Sequence, residues 1–214
     1  ETMSMTYDRG GVPMEIEQVE THIETADGKP LGFTTSQRLG NIAAQTSEAA
    51  IKDGKATVKI VTGKDVRTLE VDFPKDALLV EGWHRLTLSK GFTRGTAYSC
   101  KLFMPLMLKT LDTQVKVGPS KQVDLLGRVV ELAEMKMTLA VDGRQMDMTS
   151  YMNADAETLK FVRSEMGMEL VAVDCPKQVA MQPGESLDVF AKLCVASPLA
   201  LGDLRGARSV TYTI

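Results

Sequence analysis

Residues 129–152 hold two alternating runs that meet at Asp142-Gly143. Before the turn, Ala133, Met135, Met137, Leu139 and Val141 alternate with Glu134, Lys136, Thr138 and Ala140. After it, Met146, Met148, Ser150 and Met152 alternate with Gln145, Asp147, Thr149 and Tyr151. A period of two marks a strand with one buried face, and Asp-Gly supplies the positive φ angles that a two-residue hairpin turn needs. Closing the hairpin there sets Leu139 opposite Met146, Met137 opposite Met148 and Ala133 opposite Met152. The outcome is one methionine-lined face on a long antiparallel sheet.

The same logic runs through the first seventy residues. Met3, Met5 and Tyr7 alternate with Ser4, Thr6 and Asp8. Met14 and Ile16 share a parity that Val19 and Ile23 do not, which predicts a bulge near Gln18. A turn at 26–30 contains Asp27-Gly28, and Pro30 requires more than a two-residue loop. Asp53-Gly54 makes a second tight hairpin, pairing Ile51 with Ala56, Ala49 with Val58 and Ser47 with Ile60. Gly63-Lys64-Asp65 then turns the chain into Leu69, Val71 and Phe73.

Pro74 ends that strand and the period changes. Leu78, Leu79, Trp83 and Leu86 recur at helical spacing, with Asp76 as N-cap and Gly91 as the residue past the C-terminus, predicting an amphipathic helix near 76–90. Strands follow at Tyr98–Met104, Leu108–Val117, Gln122–Val141, Gln145–Met152, Leu159–Arg163 and Met168–Val173. Residues Pro176–Leu187 are ambiguous, Phe190–Val195 reads as a short strand, and Ser197–Ala207 as a connector to a final strand. A strand of thirteen residues ending at Val141 would span about 43 Å at roughly 3.3 Å per residue. Strands of that length suit a large, strongly curved antiparallel sheet, an open half-barrel, wrapped around one main helix. The expected class is mainly β (α+β): a single curved domain over 1–196, then a connector and terminal strand over 197–214. Both ends of the chain fall inside strand-like alternation, which reads as a fragment leading toward a further domain.

At 43% hydrophobic and 25% charged residues, the composition is that of a globular protein with a core. The net charge of −3 comes without a basic cluster, which argues against nucleic acid as a partner. No apolar run approaches the roughly 20 residues of a transmembrane helix. Cys100, Cys175 and Cys194 form neither a Cys-x-x-Cys motif nor a zinc pattern, and their redox state stays open.

Candidate chemistry is sparse. His22 lies among Glu17, Glu20 and Glu24, and His84 follows Trp83, but no cysteine opens a helix beside either imidazole. The acidic run Glu15, Glu17, Glu20 and Glu24 reads as a solvated face, because a strand spreads carboxylates rather than converging them on a cation. No catalytic, cofactor-binding or metal-binding residue is assigned, and no cofactor is expected. The methionine face is the candidate apolar ligand face: Met135, Met137, Leu139, Met146, Met148 and Met152, with Trp83 from the helix. Its simpler reading is core. It becomes a trough for an acyl chain or apolar peptide where the helix leaves it uncovered.

The runs Thr25-Ala-Asp-Gly-Lys-Pro-Leu-Gly-Phe33, Phe73-Pro-Lys-Asp-Ala-Leu78 and Gly91-Phe-Thr-Arg-Gly-Thr-Ala-Tyr98 resemble the non-catalytic N-terminal region of bacterial transglutaminase-like extracytoplasmic proteins. Such regions are similar to half-barrel domains of the lipoprotein-carrier type. The resemblance implies a periplasmic or cell-envelope location and a downstream catalytic domain in the same polypeptide. That family's Cys, His and Asp motifs have no match here, so no catalytic role carries over. Three functions are therefore weighed. The first is a non-enzymatic accessory or binding domain that positions a transglutaminase-like protein or binds its substrate. The second is a free-standing lipid or lipoprotein carrier, and the third a cysteine-dependent hydrolase.

Overall fold

Both two-residue Asp-Gly hairpins close as their turn chemistry dictates. In the structure, a computed structural model that describes residues 1–9, 12–40, 42, 44–165 and 168–182, Asp53 and Gly54 have φ of 51° and 80°, and Asp142 and Gly143 have 48° and 76°. All six predicted cross-strand pairs are present.

Six strands form the first sheet in chain order: β1 (Thr2–Arg9), β2 (Val12–Glu24), β3 (Pro30–Leu39), β4 (Gln45–Lys52), β5 (Lys55–Thr62) and β6 (Asp65–Asp72). The second sheet holds β7 (Ala77–Leu78), β8 (Ala97–Met104), β9 (Lys109–Leu125), β10 (Arg128–Val141), β11 (Arg144–Met152), β12 (Thr158–Glu165) and β13 (Met168–Val173), again as neighbours in chain order. Among the described residues every neighbouring pair is antiparallel except β7 with β8. The fold is thus mainly β, as the alternation predicts, and among the described residues open, with the strands divided between two sheets. The division falls at Pro74, which follows β6; Ala77-Leu78 then join the second sheet ahead of the helix.

That helix, α1 (Val80–Lys90), starts four residues later than expected. Asp76 does not cap it; its carboxylate pairs with Lys101 Nζ at 2.6 Å, and Ala77-Leu78 join the second sheet. The cap comes from another strand. Glu24 on β2 accepts hydrogen bonds from Glu81 N (2.8 Å) and Gly82 N (3.0 Å), filling the role of an N-cap side chain and contributing about 1 kcal/mol. Beside it, Gly28 and Gly82 touch backbone to backbone. A Cβ on Gly28 would stand 2.7 Å from Gly82 Cα, and one on Gly82 would stand 2.7 Å from the Gly28 carbonyl oxygen. At its other end α1 is tied to β8 through Thr87 Oγ1 and the Tyr98 hydroxyl, 3.0 Å apart.

Three further expectations are corrected. The register of β2 runs unbroken past Gln18, and the irregularity comes at Ile23/Glu24, where the chain enters the Thr25–Lys29 turn. The span Gln122–Val141 is two strands, because Leu126 and Gly127 (φ 55° and 92°) form a tight turn whose first residue is a leucine. The acidic run is not one solvated face, since Glu20 lines a cleft and Glu24 caps α1. Past Pro176 a short helix, α2 (Lys177–Ala180), forms. The strand expected at 190–195, the boundary near 196, the final strand and Cys194 lie outside the described residues.

Two core clusters lie at the centre. In the first, Phe33, Ala49, Val58, Ile60 and Phe73 of the first-sheet region meet Ala77, Leu79 and Phe103. Phe103 joins the sheets, its ring centroid 5.5 Å from Phe33 and 4.8 Å from Phe73. The second gathers Leu111, Val115, Val117, Met135, Met137, Leu139 and Met152, with Trp83 and Phe92 packed against it. A third, smaller cluster holds Val123, Leu125 and Leu132. Between the second and third, β9 carries a bulge: Gly118 and Pro119 together oppose Glu134. One extra residue inverts the parity of β9 against β10, so the third cluster lies on the opposite face of the ribbon from the second. The Glu134 side chain lies over Gly118, where a Cβ would be 2.7 Å from Oε1, and it is almost fully buried. Its partner is Lys121, whose ammonium is held above its ordinary range by that hydrogen bond.

Candidate functional site

Residues at alternate positions of a strand share a face, so Gln18, Glu20 and His22 of β2 point the same way. They form one wall of a cleft of about 260 Å³. Leu78, Leu79, Val80 and Trp83, at the start of α1, make the facing wall, and the end of β8 at Leu102–Met104 makes the floor. The walls are set by the elements just described: β2 is held in register by β1 and β3, and α1 is tied to β2 by the Glu24 cap. The cleft is apolar except along β2, at the Trp83 indole and at Glu1, whose ammonium donates to the Glu20 carbonyl at 2.7 Å.

Its polar groups are poorly satisfied. The His22 side chain is 13% exposed, and among the described residues neither ring nitrogen has a hydrogen-bond partner. Glu20 Oε2 stands 3.4 Å from His22 Nε2, within ion-pair distance yet not aligned to accept a hydrogen bond. Trp83 Nε1 is buried and donates to nothing described. All three nitrogens are enclosed by protein, closed even to a water-sized molecule, so they lie beside the cleft rather than open into it.

The sequence-predicted face is distributed differently. Met135, Met137, Leu139 and Met152 are at most 5% exposed and belong to the second core cluster, with Met146 and Met148 half-buried beside it. Met146 and Met148 also border a wide, polar-rimmed hollow with Asp142, Arg144 and Asp147. Of the seven residues, Trp83 alone lines the cleft. Sequence reading missed Glu20 and His22 because Val19 and Ile23 suggested an apolar face of the opposite parity. Ile23 is 45% exposed, and the polar parity faces inward. The signal was present in the alternation of Gln18, Glu20, His22 and Glu24 opposite the strand that carries Phe33.

Cys100 lacks the setting of a nucleophile. Burial pushes the Cys100 thiol up to about 11, the opposite of the depression a catalytic thiolate requires. His84 contacts the Asp155 carbonyl at 2.8 Å and the Glu81 carboxylate at 3.8 Å. Cys100 is accordingly expected to alkylate with iodoacetamide at pH 7.5 roughly a hundredfold more slowly than an unperturbed cysteine. Peptide-resolved mass spectrometry over a time course measures this site by site, and a rate matching free cysteine would contradict it.

No family model matches the chain, and no curated protein matches it. Among solved structures it is similar to a β-barrel-like protein of the domain of unknown function DUF1849 from Brucella abortus, with a TM-score of 0.57 and 16% identity. The match covers 74% of this chain and 71% of that one. At such identity the likeness establishes the fold, β-barrel-like, with sheets that do not close among the described residues.

Proposed function

We propose that this chain is a non-enzymatic binding domain that holds an apolar or amphipathic chain in the cleft between β2, the start of α1 and the end of β8. The observation that carries the reading is the apolar cleft itself, walled by Leu78, Leu79, Val80 and Trp83 with Leu102 and Phe103 at its floor. The volume falls just under the usual range for small-molecule sites, about 300–1,000 Å³, which suits a single short chain rather than a bulky lipid. The high thiol pKa of Cys100 speaks for binding over cysteine-dependent hydrolysis.

Trp83 is the sole tryptophan, so its emission reports directly on occupancy. Titration with 1-octanol is expected to give a saturable spectral shift. Met3→Arg puts a charge on the cleft wall at a residue already 45% exposed, and is expected to weaken binding by about tenfold or more. A linear, unsaturable response, or identical titrations for the two proteins, would defeat the reading.

The accessory part of the proposal, that the domain serves a transglutaminase-like protein of the cell envelope, is supported by the resemblance of residues 25–33, 73–78 and 91–98. It is checked by the reading frame beyond Ile214. A Cys-His-Asp core there supports an accessory domain, and a frame without one supports a free-standing carrier.

A further inference from the structure

Among the described residues four strands end the two sheets, and three of them are guarded against pairing with another chain. The edge strand β6 carries Asp65, Arg67, Glu70 and Asp72, β13 is six residues long, and β7 is two. Strand β1 has no such guard. Its eight residues include no proline, carry no charge from Thr2 to Tyr7, and keep an unbroken register against β2. Glu1 and Glu20 exchange backbone hydrogen bonds of 2.7 and 2.9 Å, so the odd positions of β1 are the ones that bond to β2. Thr2, Ser4 and Thr6 therefore turn N–H and C=O toward the open side. All three residues are exposed, and among the described residues nothing bonds to those groups. Met3 and Met5, on the odd face, are 45% and 42% exposed. The strand is also complementary to itself. Antiparallel pairing with a second copy about a two-fold axis at Met5 sets Met3 opposite position 7, a tyrosine, and Glu1 opposite position 9, an arginine. That register overlaps the whole strand, and it places Thr2, Ser4 and Thr6 at hydrogen-bonded positions.

We infer that the free edge of β1 is a self-association surface, at which two copies of this chain pair antiparallel and join their first sheets into one continuous sheet. Sedimentation equilibrium of the full chain, over about a hundredfold range of concentration, is expected to show a monomer–dimer equilibrium. Association should stop at two copies, because the two-fold axis consumes both β1 edges. Ser4→Pro removes an outward N–H without touching a bond to β2, and should raise the dimer dissociation constant by about tenfold or more with circular dichroism unchanged. Met5→Lys leaves the backbone intact and sets two ammonium groups face to face on the axis, with the same expected loss. The register is read by charge exchange. Arg9→Glu should weaken the dimer, and Glu1→Lys combined with Arg9→Glu should bring it back to within about threefold of the original. A chain that stays monomeric throughout would overturn the inference, as would a dimer that neither Ser4→Pro nor Met5→Lys weakens. A dimer lost in those two variants yet not restored by the charge exchange would overturn the register.

Discussion

Phe33→Ala is expected to cost about 3–5 kcal/mol of folding stability, the range for emptying a fully buried aromatic site. Phe33 is 0% exposed and shares the first core cluster with Phe103, the residue that brings the second sheet into contact with the first. The lost ring therefore leaves a cavity at the seam between sheets, where two independently hydrogen-bonded layers limit collapse. Denaturant unfolding of the full chain measures the effect as a lowered midpoint with an unchanged slope. Ile23→Ala, a truncation of comparable chemistry on the outer face of β2, is the control and should cost less than about 1 kcal/mol. Equal costs for the two would mean that the sheets share no core at Phe33.

Gly82→Ala should destabilise by about 1–3 kcal/mol, although alanine is ordinarily the better helix former by about 1 kcal/mol. The sign reverses because the new methyl meets the Gly28 carbonyl oxygen at 2.7 Å. That oxygen belongs to a turn fixed by the Thr25 amide to Lys29 carbonyl and Gly28 amide to Thr25 carbonyl hydrogen bonds. Relief requires α1 to move away from β2, which weakens both Glu24 hydrogen bonds to the helix start. A shift in Trp83 emission should accompany the lost stability, since Trp83 is the next residue along the helix and faces the cleft. A Gly82→Ala variant as stable as the original, with unaltered emission, would show that the glycine contact does not set the position of α1.

The parts of the fold legible in the sequence were those where one residue pattern and one turn agree. Asp142-Gly143 and Asp53-Gly54 fixed their hairpins because the turn chemistry and the buried face point to the same register. Leu126-Gly127 escaped because its first residue is a leucine with φ of 55°, a conformation the type of side chain does not announce. The helix start escaped because its cap is a carboxylate more than fifty residues earlier, and a long-range partner leaves no trace in local periodicity. The cleft was illegible for a related reason. Alternation reports which residues share a face, but the direction of that face follows from what lies across it. On β2 the apolar parity pointed outward, leaving Glu20 and His22 beside Trp83.

The extra residue at Gly118-Pro119 makes β9 and β10 a Möbius-like strip: the side that is dry at Val115 and Met137 is wet at Asp124 and Glu131, while Val123 and Leu132 are dry on the other side. Two interiors are consequently hung on one pair of strands with only a buried carboxylate at the crossover. Shortening the chain by a single residue there would turn one interior out to water while leaving the other untouched, so length at this point is as constrained as residue type is elsewhere.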